Sequence, residues 1–150
     1  MFRGKRIDNG EWVEGDLIVS KNNYYIHPTH NSFQVKESGL SGPIVLHEVR
    51  EDTLGQFTRV CDKNGKMIFE GDILELAWRP YPQDKSLLSV HFGPYEIGGE
   101  DEYDYYDYVV GWYTKGSRGK YSLFADAERA NLYYEVIGNI HDNPELLEGD

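Results

Sequence analysis

The sequence predicts an all-β fold. Three observations carry the expectation. Short β-prone segments are separated by Gly and Asn turn signals, two Asn-Gly dipeptides each stand between such segments, and the same Glu-Gly-Asp tail follows both. The 150 residues, 39% of them hydrophobic and 14% aromatic, suit one domain with a sizeable core. We assign residues 1–150 to a single domain with two β sub-lobes, roughly 1–50 and 51–150.

Taken in order, Phe2 to Ile7 and Trp12-Val13 flank Asn9-Gly10, a pair that suits the two positive φ values of a type I′ hairpin turn. Asn64-Gly65 repeats this between Gln56–Cys61 and Lys66–Phe69. Glu14-Gly15-Asp16 and Glu70-Gly71-Asp72 then read as second tight turns, since Gly adopts backbone conformations closed to other residues and Asp bonds nearby N–H groups. Apolar strands restart at Leu17–Val19 and Ile73–Trp78, which completes a tightly turned meander. Tyr24–Ile26, Ile44–Leu46 and Leu87–Phe92 are further strands, the last ended by Gly93-Pro94. Val109–Tyr113 and Tyr121–Phe124 form a hairpin, Asp126–Ala130 a single helical turn, and Tyr133–Ile137 a strand that Gly138 lets bend. Asn143-Pro144 reads as N-cap and first position of a short terminal helix, Pro144 to Leu147.

Charge narrows the function. The balance of 15 basic and 26 acidic residues gives a net charge of −11, which argues against a nucleic-acid partner, because phosphate binding draws on clustered Lys and Arg. No Lys or Arg lies between Lys85 and Lys115, where Glu96, Glu100, Asp101, Glu102, Asp104 and Asp107 fall. The segment 98–108 is expected to be a mobile acidic loop, because dense like charge opposes packing. Its Tyr103, Asp104, Tyr105, Tyr106, Asp107 and Tyr108 form the candidate interaction surface, as tyrosines with a polar tip suit interfaces. Basic residues group at Arg3, Lys5 and Arg6, at Arg59, Lys63 and Lys66, and at Lys115, Arg118 and Lys120. No apolar run approaches a membrane span and no leader follows Met1, so neither insertion nor secretion is expected.

Catalytic and metal-binding patterns find little support. Cys61 is the single cysteine, which excludes an internal disulfide framework and any Cys-cluster zinc site and suits a reducing compartment. Arg59, Cys61 and Lys63 would share a face on alternating strand positions, yet no His or Asn spacing supports a cysteine protease. His27 and His30 flank Pro28 in a loop-like run with no accompanying ligand motif. Glu14/Asp16 and Glu70/Asp72 resemble paired acids, but turn-forming carboxylates are far commoner. Phosphate loops, dinucleotide fingerprints and nucleophile elbows do not occur. We therefore expect no enzyme, no catalytic residues, no metal and no cofactor.

Three blocks together carry a family resemblance. Phe2–Lys5 with Asn9-Gly10-x-Trp12-x-Glu14–Ile18, Thr53–Thr58 with Asp62–Lys66 and Ile68–Leu74, and Glu135–Leu147 resemble, in order, the YopX family of phage and prophage proteins. The resemblance implies several coiled β-sheets including an SH3-like barrel, and a gene expressed in the cytoplasm of a bacterial host. It supplies no established activity and no catalytic residues. Arg59-Val60-Cys61 departs from the family's usual residues, and the acidic insert is peculiar to this chain. The expected function is a non-enzymatic module that binds a protein partner or self-associates as a homo-oligomer. The alternatives are an acidic DNA mimic that blocks a nucleic-acid-binding protein, and direct nucleic-acid binding through an SH3-like barrel.

Overall fold

A computed structural model describes residues 1–28, 34–36, 39–41, 44–77, 85–97, 107–117, 119–123 and 127–148. In chain order the strands are β1 (Phe2–Lys5), β2 (Trp12–Ser20), β3 (Asn23–Pro28), β4 (Gln34–Lys36), β5 (Gly39–Ser41), β6 (His47–Val49), β7 (Gly55–Cys61), β8 (Met67–Phe69), β9 (Asp72–Ala77), β10 (Lys85–Ile97), β11 (Asp107–Gly116) and β12 (Gly119–Ser122), then helix α1 (Ala127–Tyr133) and strand β13 (Tyr134–Asn139). Single 3-10 turns occupy Glu51–Thr53 and Pro144–Leu147. The fold is all-β, and its strand pairs are antiparallel. Two compact units divide the chain, Met1–Phe57 and Thr58–Asp150, with the boundary inside β7.

In the first unit the strands follow the order β6-β3-β2-β1-β7. Val13, Ile26 and Val49 form its core, with Leu17, Tyr24 and Leu54 packed against them. Edge strand β6 also meets the end of β1: Arg6 bridges Val49, Ile7 N–H donates to Glu48 O at 3.0 Å, and Arg50 N–H donates to Lys5 O at 2.9 Å. The described strand orders define no closed barrel.

The two look-alike segments fold differently. At Asn9-Gly10 the hairpin closes with Arg6 N–H on Glu11 O and Gly10 N–H on Arg6 O, each at 2.9 Å. Gly10 (φ 74°) has a positive φ and Asn9 does not, so this is a longer loop and not the expected type I′ turn. Asn9 instead accepts the Glu11 N–H on its side-chain oxygen at 3.0 Å. Beyond it, β2 runs straight through Glu14-Gly15-Asp16, with Gly15 opposite Phe2 on one side and Pro28 on the other. The expected second turn is absent here because Gly15 serves close approach: a β-carbon on it would lie 1.8 Å from the His27 carbonyl oxygen. Ile44–Leu46, expected as a strand, precedes β6 without ladder pairing. The Val45 carbonyl is taken by His27 Nδ1–H at 2.8 Å.

In the second unit the end of β7 pairs with β8, and a five-stranded sheet has the order β12-β11-β10-β9-β13. Val60, Ile68, Leu74, Leu88, Val90, Trp112, Leu123, Ala130, Tyr134 and Val136 form the core. At Asn64-Gly65 the loop has three residues: Gly65 N–H reaches Asp62 O at 2.9 Å and Asp62 N–H reaches Lys66 O at 2.8 Å. Only Gly65 (φ 77°) needs the left-handed region, so this too departs from a type I′ turn. Glu70-Gly71 does turn, with Gly71 at φ 79°, and Asp72 accepts the Phe69 N–H at 2.8 Å. The extra residue before this Glu-Gly-Asp separates the turning copy from the one that continues as strand.

β10 does not end at Gly93-Pro94 but continues to Ile97, paired with β11 throughout. Its pairing with β9 stops at Ser89, so Pro94 lies where that edge faces no strand among the described residues and its missing N–H costs no ladder bond. Gly93 pairs with Gly111, and neither has any atom within 4 Å of a would-be β-carbon. In β13 the register shifts between Val136 and Gly138, as expected of a bend at that glycine, where a β-carbon would crowd Asn143 Oδ1 at 2.5 Å. The terminal turn Pro144–Leu147 forms with Asn143 at its N-cap position. The Asn143 side chain points back to Asn139 N–H at 3.4 Å and does not cap the turn.

Candidate functional site

The expected surface falls mostly outside the described residues: Tyr103, Asp104, Tyr105 and Tyr106 lie there, as do the acids Glu100, Asp101 and Glu102 of the mimic reading. Asp107 and Tyr108 are not loop residues. They begin β11, opposite Ile97 and Glu96, so at these two positions the expected loop 98–108 is strand, and its other residues lie outside those described. A single cross-strand ribbon thus carries the segment, and the ribbon's own faces are the site the structure builds.

Directly opposed residues of an antiparallel pair share a face. One face of the ribbon holds Val90 opposite Thr114, Phe92 opposite Trp112 and Pro94 opposite Val110, with Tyr121 of β12 opposite Thr114. Val90 (0% exposed) and Trp112 (7%) belong to the core, but the same face continues outward as Phe92 (55%) and Val110 (70%). Phe92 meets Trp112 edge-on, with centroids 5.0 Å apart, so the outer ring is held in place by a core ring.

The other face is mixed, with buried Tyr95 opposite Val109 and polar groups around Tyr113. His91 stacks on Tyr113 at 5.3 Å, Tyr95 tilts against Tyr113 at 5.1 Å, and Lys120 Nζ sits 5.2 Å from the Tyr113 centroid. Ser89 Oγ lies 2.8 Å from His91 Nε2 and 3.3 Å from the Lys115 carbonyl. Burial, with Lys115 and Lys120 adding to it, holds the His91 imidazole below its ordinary pKa. An open recess of about 440 Å³ lies along the ribbon, with Pro94 of the first face, Tyr95, Glu96 and Lys120 among its described lining residues.

The remaining sequence candidates are scattered. Glu14 and Asp16 are exposed along β2, while Asp72 is buried and shapes its turn. His27 is buried against the Val45 carbonyl, and His30 lies outside the described residues. Lys63 is in the turn after β7, paired with Glu135, and Arg59 takes a positive φ of 70°. The simple alternation that would line them up with Cys61 therefore fails. No group of three or more His, Cys, Asp or Glu side chains could hold a metal ion among the described residues.

Sequence reasoning missed Asp62, a residue with a buried carboxylate. Its Oδ1 accepts the N–H groups of Asn64 at 2.8 Å and Lys66 at 2.9 Å, and its Oδ2 accepts that of Val136 at 3.0 Å. Burial opposes its ionisation, but the three backbone donors outweigh it and hold the carboxyl below the usual range. An Asp two residues before Asn-Gly was the available signal.

The defining pattern of the family described as YopX protein matches residues 1–148. The chain belongs to the YopX family. This YopX chain is also similar in fold to protein EF1440 from Enterococcus faecalis, with 24% identity over 97% of this chain and 96% of that one and a TM-score of 0.50. No curated protein matches it in sequence. Among the described residues no helix is long and apolar enough to cross a membrane.

Proposed function

We propose that this YopX chain is a phage or prophage protein of the bacterial cytoplasm that works as a non-enzymatic protein-binding module, with a second copy of itself as the first partner to test. One observation carries the reading: the core face of the second unit runs on beyond its core as Phe92 and Val110, exposed by 55% and 70%. Full burial of such a side chain is worth about 1.5–3 kcal/mol, and apolar surface fixed in place by Trp112 is the kind that a partner covers. Family membership supports the phage setting, and the free Cys61 supports a reducing compartment. An SH3-like character for the first unit belongs to the same proposal, supported by the bonds that tie β6 back to the end of β1.

Size-exclusion chromatography with light scattering, over a concentration series and with Phe92→Ser and Val110→Ser, tests this. The expected result is association, with itself or with a captured protein, that each substitution weakens about tenfold or more. A chain that stays monomeric and whose captures ignore both substitutions overturns it.

A further inference from the structure

The Tyr113 face of the β10–β11 ribbon is a second surface, independent of Phe92 and Val110. Lys115 and Lys120 are cross-strand partners, and neither pairs with a carboxylate among the described residues. That is unusual company in a chain with a net charge of −11. His91 and Lys120 both lie on the Tyr113 ring, and Lys115 is opposite Lys120 on one side and Ser89 on the other, so register places the three groups on one face. His91 is anchored at Nε2 by Ser89 and by stacking on Tyr113, and Lys120 covers the Tyr113 ring. Of the three, Lys120 also lines the recess of about 440 Å³, with Glu96 as the carboxylate among its described lining residues.

We propose that Lys115, Lys120 and His91 form an anion site that takes a phosphoryl group at the mouth of this recess. Tyr113 is already engaged by His91, Tyr95 and Lys120, so an incoming ring gains little stacking, and charge does the recognising. A dianion is the species two ammonium groups and an imidazole would hold, because lysines act on phosphate as point charges and as hydrogen-bond donors. Bound there, the anion favours the imidazolium form of His91, on which the charged groups otherwise acting are Lys115 of β11 and Lys120 of β12.

The test follows the His91 imidazole by NMR in the full chain, its signals assigned with His91→Gln. Inorganic phosphate, a nucleoside monophosphate and chloride at matched ionic strength are the probes. Expected are saturable shifts with both phosphoryl probes, tighter binding as pH falls through the His91 titration, and about tenfold or greater weakening in Lys115→Gln/Lys120→Gln. Lys63→Gln/Lys66→Gln should leave the binding intact. Equal affinity for both probes assigns the site to free phosphate, and a preference for the nucleotide assigns it to the phosphoryl group of a larger ligand. Shifts that chloride reproduces, or that survive the Lys115/Lys120 substitutions unchanged, overturn the proposal.

Discussion

Asp62 shows how one side chain organises a turn and a distant strand together. Its carboxylate holds Asn64 and Lys66 N–H groups within the hairpin and Val136 N–H on β13, 74 residues away. Asp62→Asn presents an NH₂ group to one of these donors and should destabilise the second unit by about 1–3 kcal/mol in chemical denaturation, more for Asp62→Ala. Because the folded carboxyl titrates below its unfolded value, its stabilising effect is present above about pH 3.9 and lost as pH falls through the folded pKa. His91 has the same slope in a higher window. Its folded pKa is lowered, so its penalty is absent above about pH 6.5 and grows as pH falls below that, and His91→Gln should remove this upper step from a stability–pH curve. Gly15 offers a contrast with Gly10. A methyl group at Gly15 would collide with the His27 carbonyl, so Gly15→Ala should cost about 1–3 kcal/mol or more by forcing β2 and β3 apart. Gly10→Ala has open space around it and meets only the cost of its φ, about 1–2 kcal/mol.

At the scale of elements, Pro94 guards an edge. Beyond Val90, whose carbonyl still takes the Gly71 N–H, the outer side of β10 faces no strand among the described residues, and a proline there removes a donor that another chain could use. Pro94→Val should therefore increase high-mass species in light scattering, without the concentration-dependent equilibrium expected of the Phe92 face. Much of this architecture was legible in the chain: the hairpins at Asn9-Gly10 and Asn64-Gly65, the turn at Gly71, the bend at Gly138 and the terminal turn after Asn143 all follow from local turn chemistry. What local chemistry could not supply was pairing. Gly15 looks like Gly71 in sequence, and only the approach of β3 decides that it stays in a strand. Gly93-Pro94 looks like a stop, and only the end of β9 pairing allows the strand to pass through it. The ribbon faces were hidden for the same reason, since Phe92 and His91 are adjacent in sequence and are sorted to opposite sides by register with β11.

For the whole molecule, the net charge of −11 sets how any self-association should respond to salt. Two like-charged copies repel, so added salt should strengthen a dimer built on Phe92 and Val110, whereas it should weaken phosphate binding at Lys115 and Lys120. Sedimentation and the His91 titration, each run from low to high ionic strength, should display opposite trends. The ribbon that carries them has one rung without side chains, Gly93 facing Gly111. Such a rung lacks the cross-strand side-chain pair that its neighbours have, so the two described strands are expected to bend most easily there. Gly111→Thr, at a position with room and no special φ, should stiffen that rung and raise thermal stability, read as the melting temperature.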